Sequence, residues 1–235
     1  MLGAVVSIEI NCSLITKLFM LKFFAHRGYL PQKNSQNLLP QNSIASLKNA
    51  VDHGFTAIEF DIWLIENQLI LSHDLPNDIR DCAGFSDYLQ YQNQLEYWLD
   101  FKNLSLENID TILKILALDL AKKNINLAQL YFAPYCVNYS LTKIFYEKFK
   151  KYFNDQINFV AVCDNSSQIA DLEQLILDHQ IKFISIDHKL ITKELVEKFK
   201  KCHLMAWTIK DYDTLIQLHN LSVEYFACDI LPKKN

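Results

Sequence analysis

Residues 57–65 read AIEFDIWLI, and the place of their two acids decides how the rest of the chain is read. The run is rich in branched and aromatic side chains, as buried strands are. Alternate side chains of a strand share a face, so Glu59 and Asp61 are aimed side by side into whatever that face encloses. Two carboxylates desolvated together are costly unless positive charge neutralises them. Two questions follow: what fold encloses this face, and what supplies the charge.

On either side of this strand, β-rich runs alternate with amphipathic stretches of helical period. The main strands are expected at 21–28, 56–65, 96–104, 128–135, 158–164, 182–188, 203–210 and 224–231, with a short hairpin arm at 68–74. Helices are expected at 43–54, capped by Ser43 and ended by Gly54, and at 109–124, 141–153, 167–180, 192–202 and 212–222. Eight β/α units in about 210 residues predict an α/β fold, a single (β/α)8 TIM barrel. A doubly wound open sheet is the alternative, but the chain has no GxGxxG or P-loop glycine pattern. The barrel is expected to occupy 21–235 as one domain. Residues 1–20 are then an N-terminal extension that adds a strand or helix at one end. Glu9, Asn11 and Lys17 interrupt it too often for a membrane span, and no basic leader precedes its apolar part. A start at Met20 in place of Met1 stays open.

Half of the 235 residues are apolar, with four glycines and five prolines, which excludes a disordered chain or a loop-rich disulfide scaffold. A net charge of −4 offers no basic surface for nucleic acid. The six cysteines, Cys12, Cys82, Cys136, Cys163, Cys202 and Cys228, form no CxxC pair. They read as reduced residues, several in the core, and point to a cytoplasmic protein.

In a barrel, residues at strand C-termini gather at one rim. The polar intrusions expected there are His26 and Arg27, Glu59 and Asp61, His73 and Asp74, Asp100 and Lys102, and Trp207 with Lys210. Glu59, Asp61 and Asp100 on neighbouring strands suit a hard divalent cation, Mg²⁺ or Ca²⁺. The competing reading pairs them with Arg27 and Lys102 instead. His26 and His73 flank the acids, and imidazole titrates near neutrality, so one can accept a proton while the other donates. Cations, a metal and two such groups suit phosphodiester cleavage, whose transition state gathers charge on oxygen. His53, His179, His188, His203 and His219 read as structural.

The motifs AHRG, PQNSIASLKNAVDHGFTAIEFDIWLIENQLILSHD and HKLITKELVEKFKKCHLMAWTIKDYDTLIQLHNLSVEYFACDILP resemble the glycerophosphodiester phosphodiesterase family, over about residues 22–104 and 183–232. The resemblance implies a metal-dependent (β/α)8 barrel that hydrolyses glycerophosphodiesters to glycerol 3-phosphate and an alcohol. It implies His26 and His73 as the acid/base pair, Arg27 and Lys102 as phosphate contacts, and Trp207 against the glycerol or alcohol. Glu59 and Asp61 would be metal ligands, and so would Asp100, which stands where many members carry Glu but is similar to the Asp used by the related sphingomyelinase D toxins. Three departures are visible. PQNS replaces PENT, so Gln41 lacks a charge that would help hold Arg27. The Gly28–Pro40 loop is long, and only 26 residues separate His73 from Asp100, a reduced cap that should leave the mouth open. An open mouth fits a larger diester, with Trp63, Phe85, Tyr88, Tyr91 and Tyr97 as candidates for apolar contact and the core as their competing place. Asp74 is a candidate to orient His73. Rival functions are a lysophospholipase D or sphingomyelinase D-like enzyme, which would touch membrane lipid, and a catalytically silent barrel that binds phosphorylated ligands or a protein.

Overall fold

The computed structural model describes residues 21–28, 39–89, 95–135, 138–154 and 156–231. In chain order its strands are β1 (Lys22–His26), β2 (Ala57–Ile65), β3 (Gln68–Leu71), β4 (Ala83–Gly84), β5 (Glu96–Phe101), β6 (Leu130–Pro134), β7 (Asn158–Cys163), β8 (Phe183–Asp187), β9 (His203–Ile209) and β10 (Tyr225–Cys228). The helices are α1 (Ile44–Asp52), α2 (Phe85–Tyr88), α3 (Ile109–Lys123), α4 (Tyr139–Phe153), α5 (Ile169–His179), α6 (Lys193–Lys198) and α7 (Tyr212–Asn220). Neighbours run β1-β10-β9-β8-β7-β6-β5-β2, and β1 also pairs with β2 in parallel. That last pairing closes the sheet into a TIM barrel and excludes the open-sheet alternative. β3 and β4 are an antiparallel arm hung on β2.

Local chemistry sets the element ends. Ser43 Oγ accepts from the Ser46 backbone N–H, and Ser46 Oγ accepts from the Ser43 N–H, a reciprocal cap on α1. Asn138, Thr192 and Asp211 cap α4, α6 and α7 in one direction only, each side chain accepting a backbone N–H of the first turn. α3 and α5 end in left-handed residues, Asn124 and Gln180.

Strand parity divides the apolar residues between two cores. Outward positions such as Ile58, Phe60 and Ile62 of β2, and Tyr97, Leu99 and Phe101 of β5, pack against Leu47, Leu113, Leu116 and Phe145 of the helices. Inward positions Phe24, Trp98, Tyr131, Val160 and Met205 fill the lower barrel. Phe24 meets Trp98 and Tyr131 edge-on, with ring centres 5.6 and 5.4 Å apart. Below them Lys22 Nζ donates to Glu96 Oε2 at 2.7 Å and to Tyr131 Oη at 3.2 Å, and lies over the Tyr225 ring. Phe183 stacks on His203 at the same end. These groups floor the barrel. Removing a buried aromatic such as Trp98 typically costs about 3–5 kcal/mol.

Phe85, Tyr88 and Tyr97 are fully buried and belong to the core, the competing place given for them above. Tyr97 sits on the outward parity of β5, and α2 lays Phe85 and Tyr88 against Phe60. Tyr91 lies outside the described residues, as do the 1–20 extension and most of the long loop after Gly28. Between β3 and β5 the described chain holds a 3₁₀ turn at Ile79–Asp81, β4 and the four-residue α2, in keeping with a reduced cap. Cys82, Cys163, Cys202 and Cys228 are free thiols, while Cys12 and Cys136 lie outside the described residues. No helix among the described residues is long and apolar enough to cross a membrane.

Candidate active site

The inward parity that floors the barrel lower down brings its polar residues together higher up. His26 ends β1, Glu59, Asp61 and Trp63 follow Ala57 along β2, and Asp100 follows Trp98 on β5. One ligand oxygen of each of Glu59, Asp61 and Asp100 lies within 4.8 Å of the other two. Glu59 and Asp61 are 4 % and 1 % exposed.

The three acids are neutralised unequally. Asp61 Oδ1 is 2.8 Å from Lys102 Nζ, and its Oδ2 accepts from Asn42 Nδ2 at 2.9 Å and lies 3.1 Å from Arg27 Nε. Burial pushes the Asp61 carboxyl up, but Lys102 and Arg27 outweigh it and hold it below the usual carboxylate range. Glu59 Oε2 accepts the Arg27 backbone N–H at 3.0 Å, and no lysine or arginine side chain pairs with it among the described residues. Burial, then Asp61 and Asp100, raise its carboxyl well above the ordinary value. Asp100 Oδ2 takes Lys102 Nζ at 2.6 Å, whereas its Oδ1 is buried with no hydrogen-bond partner. Burial raises the Asp100 carboxyl against the pull of Lys102. Lys102 would be lowered by burial, but Asp100 and Asp61 hold it above its usual value. The ion-pair reading therefore accounts for Asp61 and leaves Glu59 and one oxygen of Asp100 unmatched. An orphaned carboxylate oxygen beside a proton-hungry one, in an all-oxygen donor set, fits a hard divalent cation.

Arg27 turns the chain at the end of β1 with φ 55°, and its carbonyl accepts from the Asn42 N–H. Its Nη1 donates to Gln41 Oε1 at 2.8 Å. The uncharged amide of Gln41 thus still holds the guanidinium, contrary to the loosening expected from the sequence. Gly28 follows with φ +61°, and a Cβ there would lie 2.3 Å from Tyr88 Oη, so only glycine fits.

The two histidines differ in setting. His26 Nδ1 lies 2.9 Å from Asp229 Oδ1, and Nε2 faces Thr208 Oγ1 at 3.4 Å and Glu59 Oε2 at 4.0 Å. A carboxylate on Nδ1 keeps the proton there and leaves Nε2 as the basic nitrogen. His73 lies on the loop after β3, its side chain 43 % exposed, with Nδ1 2.9 Å from the freely exposed Asp74. Trp63 Nε1 donates to the His73 carbonyl at 3.4 Å. Between Phe226 opposite Ala206 and Cys228 opposite Ile209 the ladder shifts, so β9 carries an extra residue. That bulge turns both Trp207 and Thr208 inward. His188 Nδ1 meets the Trp207 carbonyl, and His53, His179, His203 and His219 lie away from the chamber, as expected of structural residues.

His26, Arg27, Glu59, Asp61, His73, Asp100, Lys102 and Trp207 all line one chamber of about 390 Å³. Trp63, Tyr135, Val162 and Ser185 complete much of its wall. Sequence reasoning missed Asp229, Thr208, Asn42, Tyr135 and Ser185. Asp229 and Asn42 lie within the FACDILP and PQNS stretches, but nothing local marks their contacts.

No family model matches the sequence, and no curated protein matches it. The structure, however, is similar to several solved ones. A protein of Silicibacter pomeroyi, provisionally described as a glycerophosphoryl diester phosphodiesterase, shares 11% identity at a TM-score of 0.72, covering 90% of each chain. A phosphodiesterase of Oleispira antarctica, solved with the product sn-glycerol-3-phosphate, shares 16% identity at 0.69, over 92% of this chain and 96% of that one. A glycerophosphodiester phosphodiesterase of Parabacteroides distasonis shares 19% at 0.68, over 89% and 93%. The fold is that of the glycerophosphodiester phosphodiesterases. At these identities a glycerophosphodiester phosphodiesterase fold says where a site forms and not what it does, so the chemistry rests on the chamber.

Proposed function

We propose that this chain hydrolyses glycerophosphodiesters to glycerol 3-phosphate and an alcohol. The observation that carries the reading is one chamber holding an under-neutralised acidic triad, two histidines and two cations. The product bound to the Oleispira antarctica phosphodiesterase supports the same substrate class.

Glu59, Asp61 and Asp100 would hold Mg²⁺ or Ca²⁺, which supplies positive charge to a phosphate oxygen. Lys102 and Arg27 bring further positive charge to the phosphate. His26, its ring oriented by the Asp229 contact on Nδ1, offers Nε2 to the proton of the attacking group, either water or a neighbouring substrate hydroxyl whose cyclic phosphate water then opens. His73, at the open edge, protonates the departing alkoxide. Trp207 packs against the carbon skeleton of the substrate. Asp229 and Asn42 are positioning residues: one fixes the His26 ring, the other fixes the Asp61 carboxylate.

The test is release of glycerol 3-phosphate from glycerophosphocholine with Mg²⁺ or Ca²⁺, and its loss in EDTA. His26→Ala and His73→Ala should each lower kcat by about 10²–10⁴-fold with the fold retained. Near-normal turnover in both variants, or binding of phosphorylated ligands without hydrolysis, refutes the reading and favours a silent barrel. A lysophospholipid substrate has one observation in its favour: Leu75, two residues beyond His73, is 66% exposed, and Tyr135 is 38% exposed on the chamber wall. Comparing lysophosphatidylcholine with glycerophosphocholine as substrates separates the two.

A further inference from the structure

Lys102 is held by two members of the acidic triad, Asp61 Oδ1 at 2.8 Å and Asp100 Oδ2 at 2.6 Å. A third neighbour is of another kind: Nζ stands over the ring of Tyr135, 5.1 Å from the ring centre. An ammonium that close to an aromatic face is attracted by the electron density there, and more strongly where water is partly excluded. The Lys102 side chain is 15 % exposed.

The ring is itself tied down. Tyr135 follows directly on β6, and its backbone N–H donates to the Phe101 carbonyl of β5 at 3.0 Å. Its hydroxyl donates to Asp164 Oδ2 at 2.6 Å. That hydrogen bond, then burial and the Asp164 charge, push the phenol up to about 12, so near neutral pH it stays an uncharged donor. Asp164, just beyond β7, is fixed in turn. Its Oδ1 accepts from Asn165 Nδ2 at 2.6 Å, and its backbone N–H donates to Oε1 of the buried Gln168 at 2.8 Å. A brace therefore runs from the turn before α5 through Asp164 to the ring on the chamber wall.

The three contacts of Lys102 answer differently to a divalent cation among the acids. Asp61 and Asp100 would share their oxygens with it, so both would hold the ammonium less firmly. The ring face offers a hard cation no oxygen, so the contact with Tyr135 is not contested. A lysine head is compact, strongly hydrated and carried on a flexible four-carbon stem, so without another hold it would swing into the water of the chamber. We infer that Tyr135, tethered by Asp164, is a positioning residue that keeps the Lys102 ammonium in place for the phosphate once the acids are engaged. This rests on the phosphodiesterase reading given above.

Two measurements on the full chain test this without turnover. The first is a double-mutant cycle in urea with EDTA, built from Tyr135→Leu, Lys102→Met and the pair. Ring and ammonium should couple by roughly three- to tenfold in the unfolding constant, and a coupling below about 1.5-fold overturns the inference. The second is calorimetric titration with sn-glycerol 3-phosphate in Mg²⁺. Tyr135→Leu should weaken binding by roughly three- to tenfold, while Tyr135→Phe, which keeps the ring, should stay within about twofold of the wild type. A Tyr135→Leu chain that binds as the wild type does, or a Tyr135→Phe chain that binds as poorly as Tyr135→Leu, overturns the inference as well. Failure of the activity reading would show separately, as intact glycerophosphocholine with a chain that keeps both the coupling and the ring-dependent affinity.

Discussion

Replacing Lys102 by methionine would strip the ammonium from the acidic triad while keeping an apolar stem of similar length. In the native chamber Nζ lies 2.8 Å from Asp61 Oδ1 and 2.6 Å from Asp100 Oδ2, and the Lys102 side chain is 15 % exposed. Removing one partner of a buried ion pair destabilises by about 3–5 kcal/mol. Two features place this case at the low end. Arg27 and Asn42 remain on Asp61, and Asp100, whose carboxyl already sits high, relieves part of the strain by taking up a proton. A loss of about 3 kcal/mol in a chain of this size lowers Tm by about 6–12 °C. The assay is thermal unfolding followed by circular dichroism in EDTA near neutral pH. Adding Mg²⁺ or Ca²⁺ should then raise Tm more in Lys102→Met than in the wild type, since the cation no longer competes with an ammonium for the same oxygens. A variant that melts within about 2 °C of wild type in EDTA would mean that the acids carry no such burden, and the reasoning about the triad would fall.

Asp229→Asn keeps the shape of the His26 contact but lets the amide N–H compete for Nδ1, so kcat should fall by about 10²-fold or more with KM little changed. Unchanged kcat would remove Asp229 from any role. Asp100→Asn removes one of three crowded negative charges, so in EDTA the variant should be at least as stable as wild type, while the rise in Tm on adding divalent cation disappears. A metal response of wild-type size would dismiss Asp100 as a ligand. Gly28→Ala meets both a left-handed backbone and the Tyr88 hydroxyl at 2.3 Å, and should lose about 2–4 kcal/mol in urea unfolding. A loss below about 0.5 kcal/mol would show that Tyr88 moves aside freely.

The barrel was legible because period-two and period-3.6 patterns alternate cleanly along the chain. The acids were legible for a related reason: Glu59 and Asp61 break an otherwise apolar strand on one parity. The missed residues carried no such mark. Asp229 contacts His26 across 203 positions of sequence, and only the β1–β10 seam of a closed barrel makes them neighbours. Asn42 stands in the PQNS element without any local sign of its contact, yet it is 3 % exposed and bonded to Asp61 through both side-chain polar atoms. Thr208 comes inward through a shift of one residue in the β9–β10 ladder, which no local pattern reveals. Tyr97 had two possible places, mouth or core, because aromatic content says nothing of parity, and one residue of offset from Trp98 puts it in the core among the helices.

The floor of Lys22, Glu96 and the aromatic rings beneath Phe24 and Trp98 bears on kinetics as well as on stability. A vessel stoppered below drains from the top. The fragment nearest the lip leaves first and the one seated behind it leaves last, so the alcohol should depart before glycerol 3-phosphate. Inhibition by glycerol 3-phosphate should then be competitive with substrate, and inhibition by the alcohol should not.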